Sequence, residues 1–198
     1  TTPYCGYMRV DHYRLKHTNF KDGWSKELSR EVLERGHAVA VLPYDPSSTV
    51  VVLIEQFRIG GYTAPKTSPW QIECIAGIIE PHQLAVEAAH REASEEAGLR
   101  LMDLEPMHTY LSSPGCTSET IQMFCGHVDA AGVGGVHGLA DEGEYIRVFS
   151  TPLEQAFSWL ASGRIENGMT IIALQWLKLN LGKVHRKWGI KNLPNGQS

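Results

Sequence analysis

The sequence predicts an α/β protein: an α/β/α sandwich around a mixed sheet, with a small β appendage at the N-terminus. Three observations carry this expectation. Residues 38–44 and 50–56 are short, largely apolar runs on either side of Asp45-Pro46-Ser47-Ser48. Such runs flanking a turn read as strands, and their continuous apolarity marks them as buried on both faces. Residues 84–97 instead carry alanine at positions 85, 89, 93 and 97, a four-residue period that belongs to a helix. The last third of the chain returns to helical patterning over 153–162 and 169–181. At 198 residues there is room for one good core, or one domain with a small appendage.

Taken in order, residues 7–17 alternate loosely and suggest strands, and Phe20-Lys21-Asp22-Gly23-Trp24 is a turn. Residues 26–34 form a further strand of mixed polarity, and Gly36 separates this β appendage from the rest of the chain. After the apolar pair of strands, residues 60–68 hold Gly, Pro and Thr and read as a loop. Residues 70–75 are a strand that delivers the chain into Gly77, and 107–111 and 122–128 are strands after the helix. Residues 130–143 contain five glycines and read as a mobile loop able to approach a ligand closely. Residues 146–150 return as a strand, the two closing helices come next, and the tail after Trp188 reads as disordered. The division expected is an N-terminal β subdomain over 1–36, a main domain over 37–188 and a flexible tail over 189–198.

Composition narrows the function. A hydrophobic fraction of 42% and a charged fraction of 20% are ordinary for a globular chain. A net charge of −4 argues against a general nucleic-acid binder, which would show a basic face. The nine histidines are scattered, with no pair at metal-ligating spacing. Cys5, Cys74, Cys116 and Cys125 show no C-x-x-C motif, so reduced thiols and a cytoplasmic location are expected. No apolar run is long enough to span a membrane, and no signal peptide is evident.

The charges at the end of the first long helix are unusual. Glu92, Glu95 and Glu96 crowd its last turn and a half, where the helix dipole is already negative. Each carboxylate there costs roughly 0.3–1 kcal/mol. Glu92 and Glu96, four residues apart, also form a like-charge pair. Arg91 can pair with Glu95, but one arginine cannot neutralise three acids. Such local conflict marks a site that another component completes, and a hard divalent cation suits carboxylate oxygens. Taken alone, the Glu95-Glu96 pair reads better as a solvated acidic helix end.

The spacing removes that ambiguity. Gly77, Arg91-Glu92, Glu95-Glu96 and Gly98-Leu99 resemble the box of the Nudix hydrolases, which cleave nucleoside diphosphates linked to another moiety. Two departures stand out: Gln83 occupies a position where the family expects glutamate, and Ala93 replaces a larger aliphatic. Gln83 lacks a charge, so weaker metal binding is one expectation from it. Beyond the box, Pro114 follows Gly98 by sixteen residues, as in ADP-ribose pyrophosphatases. Residues 138–144, Gly-Leu-Ala-Asp-Glu-Gly-Glu, look like the catalytic loop of that subfamily. From about residue 6 to residue 188 the chain is similar to its bacterial members, including Glu34-Arg35-Gly36-His37 and Ala173-Leu174-Gln175-Trp176-Leu177.

The resemblance implies the Nudix fold and Mg²⁺-dependent hydrolysis of ADP-ribose, with Mn²⁺ a possible substitute. It implies Glu92, Glu96, Glu144 and the Ala76 carbonyl as metal ligands and Glu142 as general base. Glu95 is the further catalytic position, orienting Arg91 or sharing a metal. Arg58 and Arg30 match positions that clamp phosphate or ribose, Tyr7 one that stacks on adenine, and Ser113-Pro114 the subfamily segment at the substrate. It further implies a homodimer whose N-terminal strands complete the partner's site. GDP-mannose or ADP-glucose remains an alternative substrate. A non-catalytic ADP-ribose-binding regulator is a second alternative, kept open by Gln83. For both Glu142 and Glu144 the plainer reading is a pair of acids on a surface turn.

Overall fold

The computed structural model describes residues 1–139, 143 and 145–190. They divide into two compact units, one of Thr1–Ala38 with Thr109–Ile121, the other of Val39–His108 with the described residues from Gln122 onward.

In the first unit, β1 (Tyr4–Cys5), β2 (Arg9–Leu15) and β3 (Leu28–Glu34) form a three-stranded antiparallel sheet in that order. Residues 109–121 join it through backbone and side chain together. Leu33 N–H donates to the Cys116 carbonyl at 2.8 Å, and the Thr117 hydroxyl donates to the Leu33 carbonyl at 2.8 Å. None of residues 1–37 is buried.

The main sheet has eight strands. β4 (Ala38–Asp45) and β5 (Val50–Phe57) form the expected hairpin, with Tyr44 opposite Val51 and Asp45 opposite Val50. Its turn is fastened by the Asp45 carboxylate, which accepts from the backbone and hydroxyl of Ser47, the Ser48 hydroxyl and the Ala130 N–H. The spatial order is β10-β11-β5-β4-β9-β8, with β6 paired to β5 and β7 to β4. Here β6 is Trp70–Glu73, β7 Ile75–Ile78, β8 Asp103–Leu111, β9 Thr120–His127, β10 Gly134–His137 and β11 Ile146–Pro152. Every residue of β4 is buried, as the apolar run 38–44 requires, and Asp45 at its end is buried with its carboxylate hydrogen-bonded.

Alternation along β4 and β5 divides two cores. Val39, Val41, Val52 and Ile54 pack with Ala88, Ala89, Ala93 and Ala97 of α2 (Ala85–Ala97). Small side chains every fourth residue let this helix lie close on the sheet. On the far side, α3 (Leu153–Ala161) and α4 (Gly168–Lys187) pack against β5, β6 and β11, burying Leu153, Ala156, Leu174 and Leu177. The result is the mixed-sheet α/β/α sandwich that the sequence predicts.

Three local expectations differ from the structure. Residues 60–68 are not wholly a loop, because α1 (Ile59–Thr63) makes a turn of helix there. Its bonds run from the Tyr62 N–H to the Arg58 carbonyl and from the Ala64 N–H to the Gly60 carbonyl, so local bonding overrides glycine content. The glycine-rich stretch contains β10, paired antiparallel to β11 with His137 opposite Ile146. An edge strand needs only backbone groups, which glycine supplies. Finally, α4 extends six residues beyond residue 181 and ends in His185, Arg186 and Lys187, cations suited to a helix C-terminus. Of the expected tail, residues 191–198 lie outside the described residues.

Candidate active site

The site is built where the end of α2 meets β7. Gly98 stops α2 in the left-handed conformation, φ +62°, and its N–H reaches the Ser94 carbonyl at 3.0 Å. Leu99 N–H reaches Ala93 O at 2.9 Å, completing the helix C-cap. At the other end the Glu87 carboxylate accepts the Leu84 N–H at 3.0 Å. The helix register is therefore fixed at both ends, and it turns Glu92 and Glu96 inward. Both are buried despite their charge, at 8% and 4% exposure.

Two observations place these acids against β7. Glu96 Oε2 accepts the Ala76 N–H at 3.1 Å. A Cβ on Gly77 would stand 1.8 Å from Glu92 Oε1, so only glycine leaves the Glu92 carboxylate its place there. The structure thus brings Ala76, Gly77, Glu92 and Glu96 together. Buried anions at the negative end of a helix are unfavourable unless a cation answers them.

Arg91 answers part of that charge. Its Nη1 lies 2.8 Å from Glu92 Oε1 and 3.0 Å from Glu95 Oε2, and its Nη2 donates to the Ile78 carbonyl at 2.9 Å. Burial works to lower the guanidinium pKa, but Glu92 and Glu95 outweigh it and hold the value above the ordinary one. Glu95 is the outermost acid of the three, and in this structure it is Arg91 that engages it.

Gln83 makes local contacts at the entry to α2. Its amide oxygen accepts the Glu80 N–H at 3.1 Å and faces Arg91 Nη2 at 3.5 Å. It closes the 80–83 turn that leads into α2, a task an amide performs as well as a carboxylate.

The donor set fits a hard divalent cation. Mg²⁺ typically takes one or two carboxylates plus water and substrate phosphate, and two buried carboxylates with adjoining backbone are what the described residues offer. Among those residues no three His, Cys, Asp or Glu side chains converge. Glu142 and Glu144 lie outside the described residues.

Arg58 follows β5 and is held more firmly than a surface cation. Its Nε donates to both Glu73 oxygens at 3.1 Å and its Nη2 to Glu73 Oε2 at 2.7 Å. Glu73 is 1% exposed and also accepts from Gln56 Nε2 at 3.2 Å and Asn167 Nδ2 at 3.0 Å. No linear motif announces this network. The one signal for it was a charged residue inside a strand otherwise bound for the core.

The other expected substrate residues belong to the first unit. Tyr7 is 88% exposed, in the bend between β1 and β2. Arg30 lies on β3 opposite Tyr13, its Nη1 donating to the Ser29 carbonyl at 2.8 Å. Ser113 and Pro114 are exposed in a turn, where the Ser113 carbonyl accepts the Cys116 and Thr117 N–H groups at 3.0 Å.

Comparison with known proteins agrees with this geometry. The NUDIX domain model matches residues 34–174. The chain is 46% identical to the ADP-ribose pyrophosphatase of Escherichia coli strain K12, over 94% of this chain and 89% of that protein. It is 41% identical to the ADP-ribose pyrophosphatase of Haemophilus influenzae, over 94% and 87%. It is also 31% identical to a GDP-mannose pyrophosphatase of Yersinia pestis, over 89% and 90%. With its box glutamates buried against Ala76 and Gly77, and with these relatives along nearly its whole length, the chain belongs to the Nudix family of hydrolases.

Proposed function

We propose that the protein hydrolyses the pyrophosphate of ADP-ribose to AMP and ribose 5-phosphate, with Mg²⁺ as the working cation and Mn²⁺ able to replace it. The observation that carries the reaction class is the buried pair Glu92 and Glu96 beside Ala76 and Gly77. Support for the substrate comes from relatives named ADP-ribose pyrophosphatase at 46% and 41% identity.

In this reading Glu92, Glu96 and the Ala76 carbonyl hold the cation, with Glu144 a further ligand. A cation held by these groups would supply polarisation of the diphosphate and a lowered pKa for the attacking water. Glu142 accepts the proton of the attacking water. The new P–O bond forms as the bridging P–O bond breaks, and the bridging oxygen leaves with its electron pair on the departing phosphate. Glu95 acts through Arg91, keeping the guanidinium beside Glu92. Arg58 offers a rigid guanidinium to a phosphate, the chemistry to which a planar fork is suited. Arg30 contacts ribose or phosphate, Tyr7 stacks on adenine, and Ser113-Pro114 borders the substrate.

We further infer a homodimer of cytoplasmic location. Support for the dimer lies in the first unit, where Tyr4, Tyr7, Met8, Tyr13, Leu15, Phe20 and Trp24 are all exposed. Seven exposed apolar and aromatic side chains in so small a unit are what a partner surface would cover. For location the support is the four cysteines, all free.

The test is product analysis with ADP-ribose, ADP-glucose and GDP-mannose, each with and without Mg²⁺. ADP-ribose is expected to yield AMP and ribose 5-phosphate only with the metal. Glu96→Gln should cost about 100-fold or more in kcat, and Glu142→Gln between about 10² and 10⁴. Preferred cleavage of GDP-mannose would favour the alternative that the Yersinia relative's name suggests. ADP-ribose bound without turnover would point to the regulatory reading.

A further inference from the structure

Glu73 has no place in the reaction above, yet it is among the most completely buried charged groups among the described residues. Burying a carboxylate is costly, and a buried ion pair is often no more stabilising than apolar side chains of similar size. The donors around Glu73 come from separate parts of the second unit. Gln56 is on β5, Arg58 just after it, and Asn167 is the N-cap of α4. Asn167 is itself pinned, its Oδ1 accepting the Thr170 N–H and hydroxyl at 3.0 Å, while Thr170 Oγ1 accepts the Cys74 N–H at 2.8 Å. Each carboxylate oxygen thus accepts from a neutral amide, Oε2 from Gln56 and Oε1 from Asn167, while the carboxylate as a whole grips the Nε/Nη2 edge of Arg58. The Arg58 side chain nevertheless stays 42% exposed, so the fixed cation remains reachable from solvent.

We propose that Glu73 is a positioning residue: held by Gln56 and Asn167, it orients the Arg58 guanidinium for the phosphate of the substrate. This rests on the reading of Arg58 as a phosphate clamp. A flexible arginine would spread its charge over many rotamers, whereas a guanidinium locked at Nε and Nη2 meets an incoming oxyanion in one orientation. Anchoring to the N-cap of α4 makes that orientation a property of the fold rather than of a loop.

The experiment is a double-mutant cycle on the full chain, with kcat and KM measured for ADP-ribose and folding followed by thermal melting. Arg58→Ala should raise KM. Glu73→Gln, which keeps shape but removes charge, should raise KM by about 10-fold while leaving kcat within about twofold. In the Arg58→Ala background, Glu73→Gln should add no further loss. Gln56→Ala, a milder change, should raise KM by less than Glu73→Gln and likewise only when Arg58 is present. It serves as the second probe if Glu73→Gln fails to fold. Equal losses from Glu73→Gln with and without Arg58 would overturn the inference and leave Glu73 a structural staple. So would a KM effect of Arg58→Ala that neither Glu73→Gln nor Gln56→Ala reproduces. If Arg58→Ala itself leaves KM unchanged, the clamp reading falls first, and the inference falls with it.

Discussion

At the scale of single residues, Gly77 shows how little room the site has. A methyl group there would collide with the far end of Glu92, a flexible side chain that can swing aside without breaking the sheet. Gly77→Ala is therefore expected to fold, with a melting temperature close to that of the parent, and to lose about 100-fold in kcat/KM because one carboxylate is displaced. A large loss of melting temperature with activity preserved would show that Gly77 serves the backbone instead. Glu92 and Glu96 were legible in the sequence because their spacing from Gly77 and Gly98 is a linear signature. Glu73 was not, since nothing in a run such as Trp70-Gln71-Ile72-Glu73 reveals that Gln56, Arg58 and Asn167 will surround it. Gln83 was legible as a departure, but its partner was not. Its bond to the Glu80 N–H is displayed only by the folded chain.

At the scale of elements, the helices followed from periodicity, and α2 ends on the glycine that the pattern named. The strand β10 has no legible signature, because glycine carries no side-chain pattern to read, while its backbone pairs with β11 all the same. The end of α4 carries a titratable contact. Tyr44 and His185, both buried, meet at 2.7 Å between hydroxyl and Nε2, and their rings stack at 5.8 Å. His185 Nδ1 has no hydrogen-bond partner among the described residues. Burial pushes the imidazole pKa below its ordinary 6.5. The unfolded chain then binds a proton that the folded chain resists, so stability falls as pH drops below 6.5 toward the lowered native value. Melting temperatures measured from pH 7.5 to pH 5 should therefore fall, and His185→Phe should make that slope shallower. An unchanged slope in the variant would assign the acid sensitivity to other groups.

At the scale of the whole molecule, the two units differ in kind. The second has a core on each face of its sheet, readable from apolar runs and alanine spacing. The first has a sheet of three strands with none of residues 1–37 buried, and its recruitment of residues 109–121 rests on bonds to β3 that no local pattern announces. A sheet that small is marginal by itself, so its exposed aromatic residues are expected to be covered in solution. Sedimentation equilibrium should give a mass of twice 22.0 kDa. Phe20→Ser with Trp24→Ser should shift that mass toward the monomer, and a fully active monomer would overturn the shared-site reading.

The pairing of His137 with Ile146 has a bearing on how such a molecule can change over evolutionary time. The segment between them, which carries Glu142 and Glu144, begins and ends at residues directly opposite one another in the ladder. Its ends are held there whatever its length, and doubling a loop costs only about 0.6 kcal/mol in closure entropy. Insertions and deletions there are thus nearly neutral for folding, so the length of this connection can drift while the strands on either side keep their register.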